Sequence, residues 1–118
     1  MADQYEMLPS GVGVQNLAEG DGDVAEKGKM VEVHYTGWLE NGSQFDTSRD
    51  RDQTFHFVIG GGQVIQGWEE GVAGMKAGGK RKLQIPPALG YGDEGAGDVI
   101  PGGATLIFEV ELVEVRDP

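Results

Sequence analysis

Three features of the chain predict an α+β domain in which an antiparallel sheet curls over one short helix. Alternating apolar and polar residues recur in several short segments, as half-buried antiparallel strands require. Only one stretch, QVIQGWEEGVAGM at 63–75, carries helical spacing. Gly and Pro, 21 and 5 of 118 residues, punctuate the chain without forming a repeat and read as many turns.

Residues 1–9 read as a flexible polar lead and 10–118 as the folded domain. This length suits a single core. Leu, Ile, Val and Phe supply about 24% of the chain, enough to build it. SGVGVQNLA (10–18) is a weak first strand, followed by the turn cluster EGDGD. MVEVHYTGWL (30–39) alternates plainly, with Val31, Val33 and Tyr35 on one face and Glu32, His34 and Thr36 on the other. Asn41-Gly42 then predicts a tight turn. QFDTS begins a return segment that the charged loop SRDRDQ interrupts, and Phe55, Phe57 and Ile59 resume the alternation until Gly60-Gly61-Gly62. In the helix, Ile65, Trp68, Val72 and Met75 share one face. Gly67, Gly71 and Gly74 lower its intrinsic helicity, so packing has to hold it. KRKLQI (80–85) is a strand stopped by Pro86-Pro87. The loop over 86–104 is long enough to suggest function. TLIFEVELVEV (105–115) closes the domain, with Leu106, Phe108, Val110 and Leu112 on one face.

Composition excludes several function classes. A formal charge of -11 argues against sequence-independent nucleic-acid binding, which depends on Lys and Arg. The scattered acids suit a solvated, self-repelling surface; adaptation to high salt is the sharper alternative. No apolar run is long enough for a membrane span. No secretory signal is visible, so a cytoplasmic location is expected, with a trimmed exported form as the alternative. Cysteine is absent, which removes disulfides and thiolate chemistry.

GYGDEG (90–95) spells G-x-G-x-x-G, but a dinucleotide site needs a helix directly after it, and AGDVIPGGA cannot form one. Asp93 and Glu94 would also repel a pyrophosphate. DTSRDRD (46–52) lacks the spacing and closing Glu of a calcium loop. His34 and His56 fall on polar strand faces without metal-ligand spacing, so no metal is expected. Ser48, near Asp46, suits satisfaction of backbone groups better than a catalytic triad.

The aromatic residues remain. Tyr35, Phe45, Phe55, Trp68, Tyr91 and Phe108 come from nearly every predicted element. Any one of them alone would suit a core. Together with polar tips such as Asp46 and two tyrosine hydroxyls, they suit an apolar ligand pocket.

VHYTGWLENGSQFDTSRDR, VIQGWEEGVAGMKAGGKRKLQIPPALGYG and VIPGGATLIFEVELVEV resemble the FKBP-type peptidyl-prolyl isomerases, the immunophilins that bind tacrolimus and rapamycin. The resemblance runs from about residue 10 to 115. It implies a strongly bent antiparallel sheet of about five strands wrapped around one short α-helix, with a hydrophobic pocket between them. By this resemblance Trp68 is the pocket floor and Tyr35, Phe45, Phe55 and Phe108 line it. Val64 and Ile65 form the edge, with the Ile65 N–H donating to a substrate carbonyl. The Tyr91 hydroxyl serves a second carbonyl, and Asp46 holds Tyr35 or polarises the reacting amide. Arg51 bridges toward Asp46, while Val99 and Ile100 close the pocket. Asp46, Tyr91, Tyr35 and Phe108 are thus the expected catalytic set. The implied activity is rotation about Xaa-Pro bonds in proline-containing polypeptides, by a monomer without cofactor. A non-catalytic proline-segment binding module is the alternative, and a purely structural β domain ranks last. Two positions depart from many relatives. Ala96 stands where they carry His, and Gly102 follows Pro101 where they have Pro-Pro, so a more mobile loop tip is expected.

Overall fold

The computed structural model describes residues 5–48, 53–96 and 100–117. Strands β1 (Glu6–Met7), β2 (Gly13–Ala18), β3 (Met30–Leu39), β4 (Gln44–Thr47) and β5 (Phe55–Val58) precede helix α1 (Gln66–Val72). Strand β6 (Lys80–Ile85), a 3₁₀ turn at Pro87–Leu89 and strand β7 (Leu106–Arg116) follow. All seven strands pair antiparallel in one sheet, ordered β1-β2-β6-β7-β3-β4, with β5 also on β3. The α+β class therefore holds, with seven strands among the described residues where about five are expected. Two causes account for the difference. β4 and β5 divide one edge of β3 between them, β5 pairing Met30–Val33 and β4 pairing Thr36–Trp38. β1 is only two residues long and carries no alternation of its own; it joins residues 6–7 of the lead to β2.

The longest pairing, β3 with β7, explains the core. Leu106, Phe108, Val110 and Leu112 are all buried, as period-two alternation requires. The next core residue is Val115 rather than Glu114. The register shifts between Glu32 and Val33, leaving Val113 as the extra residue of a β-bulge. That insertion flips the phase, so Val115 reaches the core while Val113 is exposed.

α1 is shorter than the spacing over 63–75 suggests. Ile65 is extended, with ψ 149°, and Ala73 leaves the helix with ψ 134°. Beyond it, the Gly74 N–H donates to the Ala25 carbonyl at 2.9 Å and the Ala25 N–H donates to the Met75 carbonyl at 2.7 Å. Strand-like pairing with residues 24–25 thus takes the backbone groups that another helical turn would need. Packing holds what remains. A Cβ on Gly67 would lie 2.5–2.7 Å from Ile85 atoms, and one on Gly71 2.7 Å from Leu83. Their bare surface lets the helix sit directly on β6. The Arg81 guanidinium, from β6, donates to the Gly71 carbonyl at 2.9 Å and the Ala73 carbonyl at 3.3 Å. It supplies a cation that the last turn of α1 itself lacks. Desolvation of this group pulls its pKa below the usual arginine value.

Candidate active site

The site forms where β3, β4, β5, β7 and α1 bring their aromatic residues together. Tyr35, Phe45, Asp46, Phe55, Gly62, Gln63, Val64, Ile65, Trp68, Tyr91 and Phe108 line a cleft of about 430 Å³. Trp68 is only 5% exposed, and its ring meets Tyr35 edge-on at 4.9 Å and Phe108 at 5.2 Å between centroids. Phe55 and Phe57 flank the same indole at 5.9 and 5.8 Å. Phe45 stands at 89° to Phe108, 5.5 Å away. Edge-to-face pairs of this kind fix ring positions beyond what burial alone supplies. The cleft therefore has preset walls.

Its polar groups are few and placed. The Tyr35 hydroxyl donates to Asp46 Oδ2 at 2.6 Å inside the cleft. The Tyr35 backbone is gripped from the opposite strand. Its N–H donates to Ser48 Oγ at 2.9 Å, and its carbonyl accepts from the Ser48 N–H at 3.0 Å and from Thr47 Oγ1 at 3.1 Å. Ser48, 1% exposed, is thus a backbone clamp, as expected of a hydroxyl here. Its Oγ also meets His34 Nδ1 at 3.0 Å on the other face of β3. His56 lies 3.5 Å from Glu32 and is half exposed.

Two adjacent residues, Phe45 and Asp46, both line the cleft, although neighbours on a strand ordinarily face opposite ways. Gly37 pairs with Asp46 and Trp38 with Gln44, which leaves Phe45 as the extra residue of a bulge. The bulge turns both side chains to one side. No periodicity in QFDTS reveals this.

Of the expected site residues, Tyr35, Phe45, Asp46, Phe55, Val64, Ile65, Trp68, Tyr91 and Phe108 line the cleft together. Ile100 is buried in the core and is not among the lining residues; its backbone exchanges two hydrogen bonds with Ala96, at 2.8 and 3.1 Å. Arg51 and Val99 lie outside the described residues, as does the loop tip at 97–99. A Cβ at Gly102 would lie 1.9 Å from the Asp93 carbonyl oxygen, so the chain passes too close there for any side chain. Gly62 and Gln63 are lining residues that the sequence does not single out. Gln63 Oε1 accepts the Val58 N–H at 2.9 Å, which ties the end of β5 to the cleft rim. A Gln after three glycines has no patterning signal of its own. Around GYGDEG the chain turns, the Gly95 N–H donating to the Tyr91 carbonyl at 3.1 Å, and no helix follows among the described residues.

Tyr91, 40% exposed, stands at the mouth. The Ile65 N–H, at the start of α1, has no hydrogen-bond partner among the described residues. One exposed hydroxyl and one available N–H thus border an apolar floor, an arrangement suited to carbonyl groups flanking an apolar ring.

Known proteins share this architecture and sequence. Residues 22–113 match the family of FKBP-type peptidyl-prolyl cis-trans isomerases. The chain is 61% identical over 107 residues to an FK506-binding protein of Neisseria meningitidis serogroup B, covering 91% of this chain and 98% of that one. It is 50% identical over 105 residues to the mouse peptidyl-prolyl cis-trans isomerase FKBP2, covering 89% of this chain and 75% of the relative. The crystal structure of AtFKBP13 superposes with a TM-score of 0.88 at 39% identity, over 95% of this chain and 98% of that one. The family match takes in α1 and every strand that carries a cleft residue, and the chain belongs to the FKBP-type peptidyl-prolyl cis-trans isomerases.

Proposed function

We propose that this protein is itself a peptidyl-prolyl cis-trans isomerase that binds proline-containing polypeptides in the aromatic cleft and lets the Xaa-Pro bond rotate there. The carrying observation is the Tyr35–Asp46 hydrogen bond set inside a cleft floored by Trp68 and walled by Phe45, Phe55 and Phe108. That combination provides an apolar seat for a pyrrolidine ring beside a small, fixed set of dipoles.

The uncatalysed bond turns over in about 10–100 s at 25 °C, with an activation energy near 20 kcal/mol. The barrier is lost amide resonance. The planar amide carries charge separation that water solvates, and the twisted amide carries less. Transfer from water to an apolar cleft therefore penalises the ground state more than the transition state, the differential that catalysis requires. Positioning adds to it. The Ile65 N–H and the Tyr91 hydroxyl hold the flanking carbonyls while the prolyl amide turns over Trp68. Asp46, oriented by Tyr35, faces the reacting amide, and Phe108 confines it. Val64 completes the rim. Arg51 and Val99 are assigned supporting contacts by family resemblance. A millionfold acceleration needs about 8 kcal/mol, which burial of a ring and a few oriented dipoles can supply. The roles fall to side chains and backbone groups of one chain, so a monomer would suffice for the activity. Tacrolimus and rapamycin, being bulky and largely apolar, compete for the same cleft.

A protease-coupled assay on a proline peptide, with and without rapamycin, tests the proposal. Turnover abolished by rapamycin is expected. Rapamycin binding without turnover would assign the cleft to recognition only, and absence of both would remove the proposal.

A further inference from the structure

Gly37 lies in the middle of β3, where a glycine weakens a strand and calls for a reason. Backbone conformation is not that reason, because Gly37 is not among the glycines with positive φ. Space is. A Cβ at position 37 would lie 2.6 Å from Cζ and 2.9 Å from Cε1 of Phe45, and 2.8 Å from Cε1 of Phe108. Both rings belong to the cleft wall, and they meet each other edge-on at 5.5 Å. Gly37 is also the residue paired with Asp46, directly at the bulge that turns Phe45 inward. Gly37 itself does not line the cleft.

We propose that Gly37 is a positioning residue that sets the width of the Phe45–Phe108 wall and thereby the bulk the cleft accepts beside the proline. This rests on the isomerase assignment of the same cleft. A methyl group at 37 is compatible with the backbone and can be housed only by displacing Phe45, Phe108 or both. The displaced rings narrow or reshape the wall, so a bulky residue before proline loses more than a small one.

The test is a double-mutant cycle of Gly37→Ala and Phe45→Ala, read as kcat/KM on a Phe-Pro and an Ala-Pro peptide and as tacrolimus affinity. Gly37→Ala should lower kcat/KM for the Phe-Pro peptide about tenfold, the scale on which one methyl group acts in an apolar pocket. The Ala-Pro peptide should change by less than about threefold. In the Phe45→Ala background the ring is gone and Phe108 has room to move, so Gly37→Ala should then cost less than about twofold. Equal losses on both peptides, or the same loss with and without the Phe45 ring, would overturn the proposal. Should Gly37→Ala alone fail to fold, the double variant decides: folding and matching Phe45→Ala supports it, and failure to fold overturns it. A wild-type protein that binds tacrolimus but does not isomerise would refute the catalytic assignment alone, since the tacrolimus cycle still reads the wall.

Discussion

Replacing Gly67 by Ala should destabilise the protein, although the same change in an exposed helix would stabilise it. Ala gains up to about 1 kcal/mol of helix propensity over Gly. Against this, the new Cβ would meet three atoms of Ile85 at 2.5–2.7 Å, and Ile85 is fully buried. Overpacking of a close-packed core costs about 1–3 kcal/mol. Three contacts this short against a side chain with no free space put the cost in the upper half of that range. The net loss is then about 1–2 kcal/mol. An unfolding entropy of about 2.1 cal/mol/K per residue gives roughly 4 °C per kcal/mol for a chain of this length, so Tm should fall by about 4–8 °C. Circular dichroism during thermal unfolding measures it. Because Gly67 precedes Trp68 and follows the Ile65 rim by two residues, isomerase activity should fall as well. A Tm unchanged or raised in Gly67→Ala would refute the claim that close approach to β6, rather than helix propensity, selects glycine here.

Further outcomes follow from the same structure. Asp46→Val and Phe108→Tyr should each cut isomerase turnover at least about tenfold with far-UV circular dichroism retained; wild-type rates in both would remove the roles assigned to them. Trp68→Leu should weaken rapamycin binding by at least about tenfold, measured by calorimetry, because it takes away the ring on which Tyr35 and Phe108 stand edge-on. Glu32 is held below the ordinary carboxylate value first by the Thr54 hydroxyl, then by Arg116 and His56. A depressed folded pKa means that this group's stabilisation is present above the unfolded value near 4.5 and is lost as pH falls through the folded one. Denaturation midpoints between pH 6 and pH 3 should therefore drop less steeply in Thr54→Val than in wild type, and identical slopes would contradict the Thr54 contribution.

Local pattern and tertiary structure contributed differently to this protein. Alternation along MVEVHYTGWL and TLIFEVELVEV carries the central β3–β7 pair, because strand side chains repeat every two residues whatever the partner. Helical spacing identifies α1 and the inward placement of Trp68 and Val72 for the same kind of reason. Family resemblance then names most of the cleft. Other features depend on what lies opposite. The bulge at Phe45 and the one at Val113 are properties of strand register, and a two-strand register is not encoded in either strand's own period. The helix ends early because residues 24–25 compete for its backbone groups. Gly37 looks like a flaw in β3 until two aromatic rings from β4 and β7 occupy the space beside it. Composition and period determine which residues go inside; the contacts across strands decide which of those walls form a cleft and how wide it is, since excluded volume acts between residues distant in the chain.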